Sequence, residues 1–188
     1  LHRNEPMILG APPLLPAVDP FGFGKHIMRA AVIWDELDKQ IPGIEGVWTV
    51  GAVGPMHMHV VSIKQQYGGH AKQTAMAMGG FYASSYRNKV TIIVDDDIDP
   101  SNLSEVMWAV CTRCDASEAV EIIRECWGGT SDPVLSPEKL AKRDLRHARI
   151  IITACKPYYW RKDFPPTIGA SRELADSVRQ KWEQLLIG

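Results

Sequence analysis

The stretch Lys89–Asp115, KVTIIVDDDIDPSNLSEVMWAVCTRCD, decides the fold. Val90 to Val94 is β-branched throughout, the composition of a strand covered on both faces, so a central or parallel strand is expected. Asp95, Asp96, Asp97 and Asp99 follow at its carboxyl end, and Pro100 sits where a first-turn proline is tolerated, which makes Asp99 the expected N-cap. The helix then runs to about Arg113. Its apolar positions Leu103, Val106, Met107 and Val110 fall at i, i+3, i+4 and i+7, a single face that is expected to pack on the sheet.

Strands and helices alternate outward from this unit. Lys25 to Gln40 is an amphipathic helix with Ile27, Ala30, Ala31, Trp34, Leu37 and Ile41 on one side, stopped by Pro42-Gly43. Val47 to Val53 and Met58 to Ile63 read as a hairpin turning at Gly54-Pro55. Gly69 to Tyr86 reads as one helix with small residues at Ala71, Ala75, Ala77, Gly79 and Gly80, implying close approach of another element. Ala119 to Arg124 is a further strand ended by Gly128-Gly129, Ser136-Pro137-Glu138 starts a short helix, and Arg149 to Thr153 is another apolar run. Tyr158, Tyr159 and Trp160 form an aromatic cluster on a proline-flanked segment, suited to an interface or to loop packing. Ser171 is the expected cap of a last amphipathic helix whose stripe is Leu174, Val178, Trp182 and Leu185. The expected fold class is α/β, a mixed β-sheet with flanking helices and an amphipathic carboxyl-terminal helix.

Composition bounds the function. With 188 residues, 45% of them hydrophobic, one compact domain can bury a full core without disulfides. A formal net charge of −1 without clustered Lys and Arg argues against nucleic acid as a partner. No apolar stretch approaches the roughly 20 residues of a membrane span, so a cytoplasmic location is the default expectation. The thiols of Cys111, Cys114, Cys126 and Cys155 agree with it.

Three patterns invite a metal or redox reading. The four acids at the strand end could hold a hard cation, although acids before a helix more often cap it. Met56-His57-Met58-His59 alternates soft ligands, against the plainer expectation of a strand whose histidines meet solvent or a partner domain. Cys111 and Cys114 form a CxxC, but a zinc site wants a second pair, and a redox pair sits at a helix start rather than at its end. A small independent metal enzyme using Asp95 to Asp99 with His57 and His59 is therefore the least favoured reading.

Taken together, these segments resemble the UbiD family of decarboxylases, which use prenylated flavin mononucleotide. The resemblance is carried by VDDDID (Val94 to Asp99), by Val106, Trp108 and Ala109, and by the T-R-x-D ending at Thr112, Arg113 and Asp115. It is carried further by SIKQQYGGHAK (Ser62 to Lys72), and by LHRNEPMI (Leu1 to Ile8), which is similar to a strand leaving the family's central flavin-binding domain. The match weakens after Cys126.

The resemblance implies a carboxyl-terminal domain, since nothing here corresponds to the family's Glu-Arg-Glu catalytic set or to a glycine-rich phosphate loop. On it, residues 1–24 are a strand and linker from a missing flavin-binding domain, 25–170 the α/β domain and 171–188 an oligomer-contact helix. The implied activity of the intact enzyme is reversible, non-oxidative decarboxylation of an aromatic or α,β-unsaturated acid. Its implied cofactor is prenylated FMN with a divalent Mn or Mg, neither held by this chain alone, which is expected to be inactive. The implied partners are a flavin-binding domain of the same or a companion chain, a small-molecule carboxylic acid and further copies in a homo-oligomer. No catalytic residue is implied. Pro133, Val134 and Leu135 correspond to a loop near substrate, and Tyr86, His70 and Lys72 join them as pocket or interface candidates. A surface loop for the first three, and capping or packing for His70, are the plainer alternatives. The rival from another class is a separate non-catalytic scaffold or binding subunit of a multi-subunit carboxylase.

Overall fold

The computed structural model describes residues 22–51, 56–130, 132–168 and 172–186. Helix α1 (Gly22–Asp38) leads into strands β1 (Ile44–Thr49) and β2 (Met58–Ile63), then helices α2 (His70–Ala77) and α3 (Tyr82–Ser85). Strand β3 (Val90–Asp95), helices α4 (Leu103–Arg113) and α5 (Ala116–Ala119) and strand β4 (Val120–Cys126) follow. Helix α6 (Pro137–Ala141), strand β5 (His147–Ala154), a 3₁₀ turn at Tyr158–Trp160 and helix α7 (Arg172–Leu186) complete the order.

The five strands form one mixed sheet in the order β1-β2-β3-β5-β4. β3 is central, as its β-branched composition requires, and runs parallel to β2 and β5, whereas both edge pairs are antiparallel. Alternation along the strands divides the core in two. On one face Val61, Ile63, Ile93 and Ile151 pack against α1 and α2 through Ala30, Ile33, Leu37, Ala71 and Ala75. On the other, Val60, Ile92, Val94 and Ala154 pack under Val106 and Ala109 of α4.

Several expectations shift in detail, each for a local reason. The cap of α4 is Asn102, whose Oδ1 accepts from the backbone N–H groups of Ser104 and Glu105. Asp99 instead closes an Asx turn, accepting from Ser101 N at 2.8 Å. The inward face of α4 is Val106, Ala109 and Arg113, while Leu103 and Met107 are exposed. Arg113 sets that phase by reaching under the sheet end. Likewise α1 turns His26, Ala30, Ile33 and Leu37 inward and leaves Ile27, Ala31 and Trp34 exposed. The contact that fixes it is the Thr49 hydroxyl, which donates to the His26 carbonyl at 2.9 Å. The expected helix 69–86 breaks in two at Gly79-Gly80, where the buried Ser84 hydroxyl donates to the freed Met78 carbonyl at 2.6 Å. The hairpin is present, with β1 starting and ending earlier than expected; Gly54-Pro55 lies outside the described residues, as does the cap residue Ser171.

His59 overturns the expectation of exposed histidines. It is fully buried between Thr49 and Thr91 in the ladder, and neither ring nitrogen has a partner among the described residues. Burial first, then the charges of Arg29 and Arg149, holds it near a pKa of about 3, so it stays neutral in the folded chain. His57 lies just before β2 rather than on it, half-buried.

Two outcomes follow from these placements. Asn102→Ala is expected to lower stability by about 1 kcal/mol in urea unfolding, and Asp99→Ala by less. The folded His59 value lies below the ordinary 6.5, so the stability linked to it is whole above pH 6.5 and is lost as pH falls toward 3, because only the unfolded chain binds the proton. His59→Leu is expected to flatten the decline in urea midpoint between pH 7 and pH 4.5; an unchanged decline would contradict the assignment.

Candidate functional site

The carboxyl ends of the parallel strands are tied by one buried network. Asp95 ends β3 and is nearly inaccessible. Its Oδ1 accepts from Gln65 Nε2 at 2.6 Å, and its Oδ2 from the Lys156 backbone N–H at 2.7 Å and from Arg113 Nη1 at 3.0 Å. Arg113 comes from the end of α4 with no exposed side-chain surface and grips Asp97 with both Nη groups, at 2.6 and 2.8 Å. Lys156 Nζ adds a third contact to Asp97 at 2.7 Å. Burial alone would raise the Asp97 carboxyl, but the hydrogen bonds from Arg113 and Lys156 overrule it and hold it down at about 2. The segments that leave β2, β3 and β5 are thus locked to one guanidinium.

That bonding engages two of the four acids at the strand end, Asp95 and Asp97. Asp95 and Asp97 are saturated by cationic and amide donors, and the described residues contain no group of three side chains able to hold a metal ion. The histidines are remote too, because Thr91, the ladder partner of His59, is four residues from Asp95, or about 13 Å along the strand. These residues do not fit the divalent ion that the resemblance implies. In the CxxC, Cys111 is exposed and Cys114 is half-buried, with burial pushing the Cys114 thiol up, away from the reactive thiolate.

His70 and Lys72 lie beside this network. Gly69 takes φ of 87°, a left-handed conformation that favours glycine, and opens α2. His70 is fully buried, its Nδ1 accepts from the Gln66 N–H at 3.2 Å, and its ring stacks on Tyr67 at 4.5 Å. Through that bond it holds the loop before α2, while its Nε2 is buried without a hydrogen-bond partner among the described residues. Lys72 is exposed and ion-paired with Glu121. Lys72 and Glu121, together with Asp115, Lys156, Tyr158 and Tyr159, rim a cleft of about 370 Å³. Two of its cations are paired, Lys72 with Glu121 and Lys156 with Asp97, and Asp115 accepts from the Ser117 N–H that it caps.

Tyr86, Pro133, Val134 and Leu135 lie at the opposite end of the sheet. Asp132, 4% exposed, accepts from Lys89 Nζ at 2.8 Å and from the Val134 N–H at 3.1 Å. Lys89 precedes β3, so this pair pins the segment 132–135 to the amino ends of the parallel strands. Leu135 anchors the loop inward and Val134 stands 79% exposed at its tip. Tyr86 stacks on Tyr82 at 5.2 Å, and Trp127 meets both rings edge-on at 5.3–5.4 Å. Arg87 places its guanidinium over the Tyr86 ring at 5.1 Å. The six candidates therefore divide between two ends of one sheet. Sequence reading missed Tyr82, Arg87, Trp127 and Asp132; the Tyr82/Tyr86 spacing of four was the available signal, since it places both rings on one helical face.

Residues 24–154 match the family model described as the 3-octaprenyl-4-hydroxybenzoate carboxy-lyase C-terminal domain. The chain belongs to the UbiD family. The phenolic acid decarboxylase of Sedimentibacter hydroxybenzoicus is 36% identical over an alignment of 112 residues that covers 57% of this chain and 22% of that protein. The UbiD-class enzyme HmfF of Pelotomaculum thermopropionicum, solved in complex with FMN, superposes with a TM-score of 0.68 at 27% identity, covering 80% of this chain and 31% of that one. The closed form of the S. hydroxybenzoicus vanillic acid decarboxylase gives 0.67 at 25% identity, over 87% and 33%. The UbiD-family chain described here thus spans a fifth to a third of the length of these relatives.

The network yields a paired outcome. Arg113→Met leaves Asp95 buried and short of its cation, and is expected to destabilise by about 3–5 kcal/mol in urea unfolding. The Asp97 value sits below the ordinary carboxylate range, so its contribution is present above pH 4 and is lost as pH falls through about 2. Asp97→Asn is expected to lower stability at pH 7 and to reduce its further loss between pH 4 and pH 2.

Proposed function

We propose that the chain is the carboxyl-terminal domain of a UbiD-like decarboxylase that performs reversible, non-oxidative decarboxylation of an aromatic or α,β-unsaturated carboxylic acid. Prenylated FMN, held by a flavin-binding domain of the same or a companion chain, supplies the electron sink for that chemistry. This chain supplies no catalytic residue on this reading. It supplies a rigid wall: Asp132 and Lys89 fix the loop, Leu135 anchors it, and Pro133 and Val134 present an apolar tip, with Tyr86 behind it. A firm apolar surface closing over a reacting acid excludes water and shapes the pocket without moving protons. His70 and Lys72 serve the other end of the sheet as a loop lock and an ion pair.

The observation that carries the reading is the pinned loop with its exposed Val134, on a fold shared with decarboxylases. Residues 1–24 are assigned as the connection to the flavin-binding domain. Helix α7 is assigned as an oligomer contact, because Leu174, Val178 and Trp182 lie along one stripe and are all exposed. The same stripe also favours the rival, a scaffold subunit that never meets substrate.

Val134→Asp in the complete, flavin-loaded enzyme separates the two. On the decarboxylase reading it raises KM for the acid roughly tenfold, by placing a like charge and a polar group in the pocket wall, whereas Val134→Ile changes it little. Unchanged kinetics for Val134→Asp would favour the scaffold. The intact mass of the native product decides whether the flavin domain is on the same chain: more than twice the 20.9 kDa of this sequence for one chain, about that mass for a separate subunit.

A further inference from the structure

The buried acid Asp132 is tied from several elements at once. Lys89 Nζ, ahead of β3, lies 2.8 and 2.7 Å from its two oxygens, and the Val134 N–H donates to Oδ1 at 3.1 Å. On the other side stands His147 of β5, with its Nδ1 3.8 Å from Asp132 Oδ2. The Nε2 of the same ring is 3.0 Å from the Asn88 carbonyl. A carbonyl only accepts, so Nε2 carries the ring proton and Nδ1 presents a lone pair toward the carboxylate. That Nδ1 is buried and has no hydrogen-bond partner among the described residues. Gly128 packs against it so closely that a Cβ there would strike the ring nitrogen.

A second imidazole is held beside the same tie. The His57 carbonyl accepts from the N–H groups of Lys89 and Val90 at 2.9 and 3.0 Å, which fixes the residue against the start of β3. Its Nδ1 is likewise buried without a partner among the described residues. The charges acting on the two rings come from every neighbouring element: Lys89 and Arg87 before β3, Arg149 on β5, and Asp132. Cys126 of β4 lies opposite His147 in the ladder, and the acids on its solvent side, Asp144 and Glu125, are bound by Arg146. Three cations, Lys89, Arg87 and Arg149, therefore surround one acid, and Lys89 already occupies both of its oxygens. A proton taken up by either imidazole adds buried positive charge with no unengaged carboxylate among these groups to meet it.

We infer that His57 and His147 make the Asp132 tie an acid-released latch, in which proton uptake by the two imidazoles frees the segment 132–135 from the amino ends of the parallel strands. At neutral pH both rings are uncharged and Lys89 holds Asp132. Burial, and after it Lys89 and Arg87, brings His57 down to about 4. Burial also puts His147 below the ordinary 6.5, outweighing the Asn88 carbonyl, which acts the other way. Burial would raise the Asp132 carboxyl, but the hydrogen bonds from Lys89 and the Val134 N–H hold it below the ordinary range, so it stays charged while the histidines titrate. Both histidine values lie under the unfolded one, so the stability of the latch is whole above pH 6.5 and is lost as pH falls through the folded values, because the opened segment binds the protons. The latch bears on function through the decarboxylase reading, on which it rests for that consequence alone: acid loosens the proposed wall before it loosens the sheet.

The test follows native-state hydrogen exchange of the 188-residue chain by NMR between pH 7 and pH 5, each rate divided by the intrinsic rate at that pH. The Val134 and Leu135 amides report the latch, since they donate to Asp132 Oδ1 and to the Asp132 carbonyl. Their opening constant is expected to rise by about tenfold or more from pH 6 to pH 5, while the Ile93 amide of β3 stays the more protected throughout. Glutamine keeps an N–H donor but takes up no proton, so His57→Gln and His147→Gln each lower the rise and the double variant abolishes it. A smaller rise in the parent, an undiminished rise in the double variant, or the same rise at Ile93 overturns the latch. Imidazole nitrogen shifts of the parent give a second reading that needs no variant: both rings are expected to be mainly neutral at pH 6 with the His147 proton on Nε2, and a ring mainly charged at that pH overturns the latch as well. No flavin or acid substrate is used, so failure of the latch leaves the proposed function standing, and inactivity of the complete enzyme leaves the latch standing.

Discussion

The guanidinium of Arg113 is the constraint on which the rest of this structure depends. Without exposed side-chain surface, it joins the end of α4 to Asp95 and Asp97, while Gln65 and the Lys156 backbone complete Asp95 from the segments that leave β2 and β5. Three chain crossings are thereby fixed at one point. A buried cation and its acids gain little over a well-packed apolar cluster, yet breaking one member leaves an uncompensated charge. The network therefore specifies geometry more than it adds stability. It explains why α4 turns Arg113 inward and leaves Leu103 and Met107 outside.

Locking one end of the sheet makes the other end available. At the carboxyl end Asp95 and Asp97 are engaged by Arg113, Gln65 and Lys156, and the cleft there carries the Lys72–Glu121 ion pair on its rim. At the amino end Asp132 ties its segment to Lys89, Val134 stands exposed beyond it, and Tyr82 and Trp127 are exposed beside Tyr86. In many parallel-sheet proteins ligands sit beyond the carboxyl ends of strands. Here Asp95 and Asp97 at that end are taken up by Arg113 and Lys156, while Val134, Tyr82 and Trp127 stand exposed at the opposite end.

Much of this was legible in sequence where the pattern was local. Val90 to Val94 announced a central strand, Ser136 announced the cap of α6, and the ordered motifs from Ser62 to Asp115 announced the family. Cap and phase were legible only within limits. Asp99 and Asn102 are both good caps, and only the backbone path after Asp95 gives the role to Asn102. The apolar face of α1 covers more than one stripe, so periodicity could not tell that Ile33 rather than Trp34 is buried. The six candidate residues looked alike as motif members, yet they sit at two ends of one sheet.

What the sequence by itself determined is the class and order of elements, because strand and helix periods and turn residues act over a few positions. The partners of charges were decided by tertiary structure alone. Asp95, Asp97 and Arg113 are separated by up to 18 positions, Lys89 and Asp132 by 43, and Arg87 and Gly129 approach only because β4 and the turn after it fold back beside α3. Electrostatics and close packing act through space. A run of four acids can therefore read as a cation site in one dimension while two of them, Asp95 and Asp97, anchor an arginine in three.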